Sequence, residues 1–203
     1  LSPCPSPAES GRGETFPSSL PLAGERRRDG VSVAPSQENV RRVKSPLSLI
    51  VLHNISLPPG YFGGHDILKL FTNTLNPAAH PLYPALARLR VSAHFVVRRN
   101  GRLIQCVSCR QRAWHAGVSQ WQGRPRCNDF SIGVELEGSD HTPYTARQYR
   151  SLNRLLDCLC RHYPITAIVG HSVIAPGRKT DPGPAFDPSR LEAAPFATVK
   201  TSA

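Results

Sequence analysis

No apolar run in this chain reaches the ~18 residues that a membrane-crossing helix needs. No charged–apolar–cleavage pattern opens it either. Those two absences set the first expectation: a cytoplasmic protein with no membrane partner. Acidic side chains are also scarce, 14 Asp and Glu against 25 Lys and Arg, which leaves a formal charge of +11. From Ser45 onward the counts are 9 and 18, so the basic character belongs to the body of the chain. A basic surface favours acidic partners such as nucleic acid, anionic lipid or carboxylate-bearing small molecules. The arginines (Arg98, Arg99, Arg110, Arg112, Arg124, Arg126) are scattered, and no nucleic-acid-reading motif accompanies them, so no nucleic-acid partner is expected. Charge alone leaves a solvated face as open a reading as a functional patch.

A second cysteine pair is missing too. Cys106-Val-Ser-Cys109 has knuckle spacing, but nothing downstream completes a structural zinc site. The six cysteines are expected as reduced, mostly structural thiols. There is no internal repeat. Proline is plentiful at 20, but seven of these fall in the first 46 residues. Residues 1–44 carry Pro, Ser, Gly and Arg without an apolar period and read as a disordered extension foreign to the fold. One domain over 45–195 and a short tail over 196–203 complete the expected organisation.

Within that domain, Ser48–Asn54 places four consecutive apolar residues before a histidine, the pattern of a strand buried on both faces. Asp66 reads as the cap of a short helix through Phe71. His94–Arg98 and Arg102–Val107 flank Asn100-Gly101, a strong hairpin signal. Ser131–Glu137 alternates as a strand. Thr145 opens a helix to about Tyr163, with Tyr149, Leu152, Leu155, Leu156 and Leu159 on one face. Ala167–Gly170 is a short strand delivering His171, and a brief helix is expected near Pro188–Ala193. The order implies an α/β (α+β) fold, a mixed central sheet with helices packed on it.

His53 and His171 each end a short apolar strand, where side chains leave the core at a sheet rim. Asp181 follows His171 by ten residues. Two imidazoles and a carboxylate give Zn²⁺ three protein ligands and leave a fourth position open, as catalysis requires. Eight histidines offer other trios, however, and a strand-end histidine is commonly a hydrogen-bonded structural residue. In the alternating strand, Ser131, Gly133, Glu135 and Glu137 share one face. A carboxylate there can serve as a base in a polar cleft or simply face solvent at an edge. Period two cannot choose between Glu135 and Glu137.

Five segments carry a resemblance. His53-Asn-Ile-Ser-Leu-Pro-Pro-Gly60, Leu89-Arg-Val-Ser-Ala-His94, Arg112-Ala-Trp-His-Ala-Gly117, Arg126-Cys-Asn-Asp-Phe-Ser-Ile-Gly-Val-Glu-Leu-Glu-Gly138 and the stretch from Gly170-His171 to Phe186 resemble the zinc-dependent N-acetylmuramoyl-L-alanine amidases. Within that family they look very like the branch that acts on 1,6-anhydro-muropeptides in cytoplasmic peptidoglycan recycling. The likeness runs from about Ser48 to Arg190. The wider family shares its fold with peptidoglycan recognition proteins.

The resemblance implies one zinc ion per chain held by His53, His171 and Asp181, Glu135 as the catalytic carboxylate, and Lys179 as a catalytic lysine. It places Asn54, Arg90, Trp114, His115 and Arg126 along the substrate groove. Loss of Glu137 is then expected to be far milder than loss of Glu135. An anhydro-muropeptide substrate and a monomer are the expected partner and state. The alternatives on the same fold are a non-catalytic peptidoglycan-binding module, which typically lacks a zinc ligand, and a secreted lytic amidase, which should carry an export signal or a wall-binding repeat.

Overall fold

The computed structural model describes residues 43 and 45–192; the expected extension over 1–44, apart from Val43, and the tail over 196–203 lie outside them. Among the described residues, seven strands form in chain order: β1 (Leu49–Ile55), β2 (Phe95–Val97), β3 (Leu103–Gln105), β4 (Gln120–Trp121), β5 (Arg124–Pro125), β6 (Ser131–Glu137) and β7 (Ala167–Gly170). Four helices accompany them: α1 (Asp66–Phe71), α2 (Tyr83–Leu86), α3 (Ala146–His162) and α4 (His171–Ile174). The main sheet runs β3-β2-β6-β1-β7. Its β2, β6, β1 and β7 pair in parallel, while β3 joins β2 antiparallel. The expected mixed sheet with packed helices is what forms.

Strand β6 sits in the middle, and all seven of its residues are buried. The solvent-facing edge that its alternation allowed is therefore ruled out. Ile132, Val134 and Leu136 join Ile50, Leu52, Phe95 and Val97 beneath α3, against Tyr149, Leu152, Leu155, Leu156 and Leu159. This is the continuous core. Helix α3 starts where its sequence says it should. Thr145 Oγ1 accepts from Gln148 N at 3.1 Å, and Thr145 N donates to Gln148 Oε1 at 3.1 Å. Gln148 Nε2 also donates to the Glu137 carbonyl at 2.8 Å, tying the helix start to the end of β6.

The other face of the sheet is different. Its apolar residues fall into two clusters, one around α1 with Val96, Ile104 and Tyr83, the other around Leu49, Val51, Phe130 and Val169. Polar side chains run between them: His94, His115, His53, His171 and Glu135. In the hairpin, Gly101 holds φ at +86°, and a side chain there would press on Arg147, so glycine is required twice over.

Two local expectations fail. Asp66 does not cap α1; it is the first helical residue, and its carboxylate accepts from Lys69 Nζ at 2.9 Å and Tyr83 Oη at 2.8 Å. The helix expected near Pro188–Ala193 is a single 3₁₀ turn, Pro188–Arg190. No disulfide joins the five described cysteines, and burial pushes the Cys106 and Cys109 thiols up to about 12, where they are inert.

Candidate active site

Parallel pairing builds the site. His53 and Glu135 are register partners on β1 and β6, so their side chains leave the same face side by side. On β7, Ala167 and Val169 point to that face, and His171 follows two residues on, at the start of α4. The loop after α4 returns to the rim, with Ser172 N donating to the Asp181 carbonyl at 3.0 Å. A side chain at Gly170 would run into Pro182, so glycine permits this close return.

Three donor atoms converge there. His53 Nδ1 lies 3.0 Å from His171 Nδ1 and 2.8 Å from Asp181 Oδ2, and His171 Nδ1 lies 3.0 Å from the same oxygen. Among the described residues this trio forms a group able to hold a metal ion. The outer nitrogen of His171, Nε2, faces the Ala116 carbonyl at 3.0 Å, which can only accept. That carbonyl draws the proton of a neutral His171 to Nε2, against the pull of Asp181 on Nδ1, and so turns a lone pair inward. Burial lowers His53 to about 4 despite hydrogen bonding to Asp181, which keeps that imidazole neutral. Burial alone would raise Asp181, but the side-chain contacts with His171 and His53 hold its carboxyl well below the usual range. Lone pairs crowded this closely in a dry site repel one another unless a cation lies among them, so the trio fits a metal site.

The two glutamates of β6 now separate. Glu137 is fully engaged: Arg98 Nη1 donates to Oε1 at 2.7 Å, as does Gly63 N at 2.7 Å, and Arg99 N donates to Oε2 at 3.1 Å. Glu135 is buried with Oε2 lacking any partner. Burial, then the charge of Asp181, push its carboxyl well above the ordinary value against the pull of Lys179. A dry, unsatisfied carboxyl with a raised pKa beside a metal trio is equipped to accept and return a proton.

A cleft of about 660 Å³ opens over these groups. Ile55, Leu70, Phe71, Leu89 and Val91 form an apolar wall, and Asn54, Asp140, Arg178 and Lys179 a polar one. Asn54, Trp114 and His115 line it. Asn54 Nδ2 donates to Asp140 Oδ1 at 2.7 Å. Trp114 lies under the Arg112 guanidinium at 3.6 Å. Arg90 and Arg126 are not among the residues lining the cleft; Arg126 instead pairs with Asp129 at 2.9 Å and is largely exposed. Sequence reasoning missed Asn128, Ser131 and Arg178. Asn128 Oδ1 accepts from His115 N and Ala116 N at 3.1 and 2.9 Å, and Arg178 Nη2 donates to the Ala116 and Val118 carbonyls at 3.0 and 2.6 Å. These are contacts between distant loops with no local signature.

A metal trio with a dry carboxylate at its side, carried on the rim of a mixed sheet, is the equipment of a single-metal hydrolase. Residues 43–184 match the family described as N-acetylmuramoyl-L-alanine amidase, and the chain belongs to that family. It is 58% identical over 148 residues to the 1,6-anhydro-N-acetylmuramyl-L-alanine amidase AmpD of Enterobacter cloacae, covering 72% of this chain and 79% of that protein. Among solved structures, a selenomethionine AmpD crystal structure aligns with a TM-score of 0.75 at 52% identity, covering 78% of this chain and 90% of that one. The Drosophila peptidoglycan recognition protein SA aligns with a TM-score of 0.56 at 14% identity, over 79% and 86%, and so shares the fold.

Proposed function

We propose that this amidase cuts the bond between the lactyl group of 1,6-anhydro-N-acetylmuramic acid and L-alanine, with one zinc ion held by His53 Nδ1, His171 Nδ1 and Asp181 Oδ2, in cytoplasmic peptidoglycan recycling. The substrate class is that in the name of the AmpD relative. The observation that carries the reading is the unpartnered Glu135 carboxyl, register partner of the first donor.

The donor set fits zinc. Two imidazoles and a carboxylate leave a fourth position open, and ligands about 2.0–2.1 Å from a tetrahedral ion sit roughly 3.3 Å apart. The separations here, 2.8 to 3.0 Å, are slightly tighter. When bound, zinc supplies Lewis acidity that favours water deprotonation and polarises a carbonyl. The chain's own groups do the rest. Glu135 takes the proton of the attacking water and returns it to the departing alanine amine. Lys179, exposed on the polar wall, places its ammonium against the negative charge that grows on the lactyl oxygen. The apolar wall suits the methyl and ring faces of a muramyl group, and the Asn54–Asp140 side offers polar contacts to a peptide.

The test is digestion of an anhydro-muropeptide with zinc determined on the same sample. About one zinc per chain, with release of free stem peptide that chelation abolishes and zinc restores, is the expected result. Binding without cleavage by a metal-replete sample would make the protein a recognition module.

A further inference from the structure

Both imidazole donors lean on the same two-residue segment. His171 Nε2 meets the Ala116 carbonyl at 3.0 Å, and His53 Nε2 meets His115 Nδ1 at 2.9 Å. The direction of the second contact follows from what lies behind it. The Cys127 carbonyl can only accept, so Ser131 Oγ, 2.6 Å away, must donate to it. That leaves Ser131 Oγ as an acceptor for His115 Nε2 at 3.3 Å. His115 then carries its proton on Nε2 and presents a bare Nδ1, which His53 can approach only with a protonated Nε2. His115 thus competes with the Asp181 carboxylate for the single proton of a neutral His53, drawing it to Nε2 and turning the lone pair onto Nδ1, the atom facing His171 and Asp181.

The segment is itself held from behind. Asn128, buried to 3% exposure, accepts both of its amides on one side-chain oxygen. On the far side the His115 ring occupies the space where a side chain at Gly133 would stand. Arg178 shares the Ala116 carbonyl with His171.

We infer that His115 and Asn128 are positioning residues that set the tautomer and aim of both imidazole donors, through the chain Cys127–Ser131–His115–His53 and the carbonyl of Ala116. The inference rests on the metal reading of the trio. It gives His115 a role behind the donor set in addition to its place in the cleft lining. Outer partners of this kind typically change metal affinity by about 10–100-fold when removed.

Two variants of His115 separate shape from hydrogen bonding. Phenylalanine fills the ring space without an acceptor, whereas asparagine keeps an acceptor near the Nδ1 position. On metal-free protein near neutral pH, nitrogen NMR of the imidazoles should show His53 and His171 protonated at Nε2. His115→Phe should let His53 populate both tautomers, while His171 and His115→Asn stay as in the parent. In competition with a chromophoric chelator, Zn²⁺ affinity should fall about 10–100-fold in His115→Phe and Asn128→Ala, and stay within about threefold in His115→Asn. Parent-like affinity and an unchanged His53 tautomer in His115→Phe would overturn the inference, as would equal losses in His115→Phe and His115→Asn. If the parent binds no zinc, the metal reading fails, and the metal-free tautomers still decide the chain of hydrogen bonds.

Discussion

Arg98 donates from Nη1 to Oε1 of Glu137 at 2.7 Å, and that pairing distinguishes two glutamates that alternation leaves identical. Both side chains of the pair are buried, at 9% and 2% exposure. Glu137 is thus committed to the fold, and Glu135, with an open oxygen, is left to chemistry. Glu135→Gln should keep its metal and lose turnover by about 10²-fold or more. Glu137→Ala should leave turnover per folded molecule near the parent value but cost about 3–5 kcal/mol of stability, because it strands a buried guanidinium. That second expectation revises the view that losing Glu137 is mild: it is mild for catalysis only. Kinetics and urea titration on the two variants check both halves, and the opposite pattern would move the catalytic role to Glu137.

Lys179 makes a narrower claim. Its removal as Lys179→Met should lower kcat by roughly 10²–10³-fold, the usual cost of one oxyanion-stabilising donor, with zinc content and KM little changed. A rise in KM at constant kcat would mark it as a substrate-binding residue.

Acid should destabilise the metal-free protein in a defined window. His53 and His94 are lowered by burial to about 4, and His115 lies well below its ordinary value of 6.5 for the same first cause. Between about pH 6.5 and 4 the unfolded chain binds more protons than the native one, so stability falls as pH falls through that range and is fully present above it. Glu135 acts with the opposite sign. Its raised pKa means that stability is lost as pH rises above the ordinary value of 4.5. Metal-free Glu135→Gln should therefore be more stable than the parent at neutral pH, with the gain vanishing below about pH 4. Urea midpoints measured at several pH values give both slopes.

Metal and fold should be coupled. The three donors come from β1, α4 and the following loop, so a metal ion would find them together only in the folded arrangement. At a hundredfold excess over Kd, zinc should stabilise the protein by about 2.7 kcal/mol, a gain that chelation removes. His171→Ala and Asp181→Ala should show neither zinc uptake nor the shift in Tm. A variant that keeps full zinc occupancy is not a ligand variant.

Much of this architecture can be read locally. The apolar run before His53, the Asn100-Gly101 hairpin and the Thr145 capping box each specify their element from a few adjacent residues, and the structure follows them closely. The place of His171 directly after β7 is legible for the same reason, whereas β1 runs two residues past His53, where its end is expected. What escapes local reading depends on partners far along the chain. Asp66 has the composition of a cap but is drawn to Tyr83, seventeen residues away. The short β4–β5 ribbon has too little pattern to announce itself. The difference between Glu135 and Glu137 is made by Arg98, just past the end of β2, and Asn128 acts on a loop twelve residues distant.

The polar seam across one face of the sheet has a mechanical consequence. Beneath α3 the apolar packing is continuous, so amides of β1 and β6 should exchange with deuterium only through global unfolding. Across the seam, the α1–α2 cluster has no share in that continuity and can open as a smaller cooperative unit, its amides exchanging sooner. Leu70, Phe71 and Leu89, part of the apolar wall of the cleft, belong to or border that softer unit. The rim holding His53 and Glu135 is anchored in the stiff one, so the cleft wall can yield to a ligand while the His53–His171–Asp181 trio stays in place.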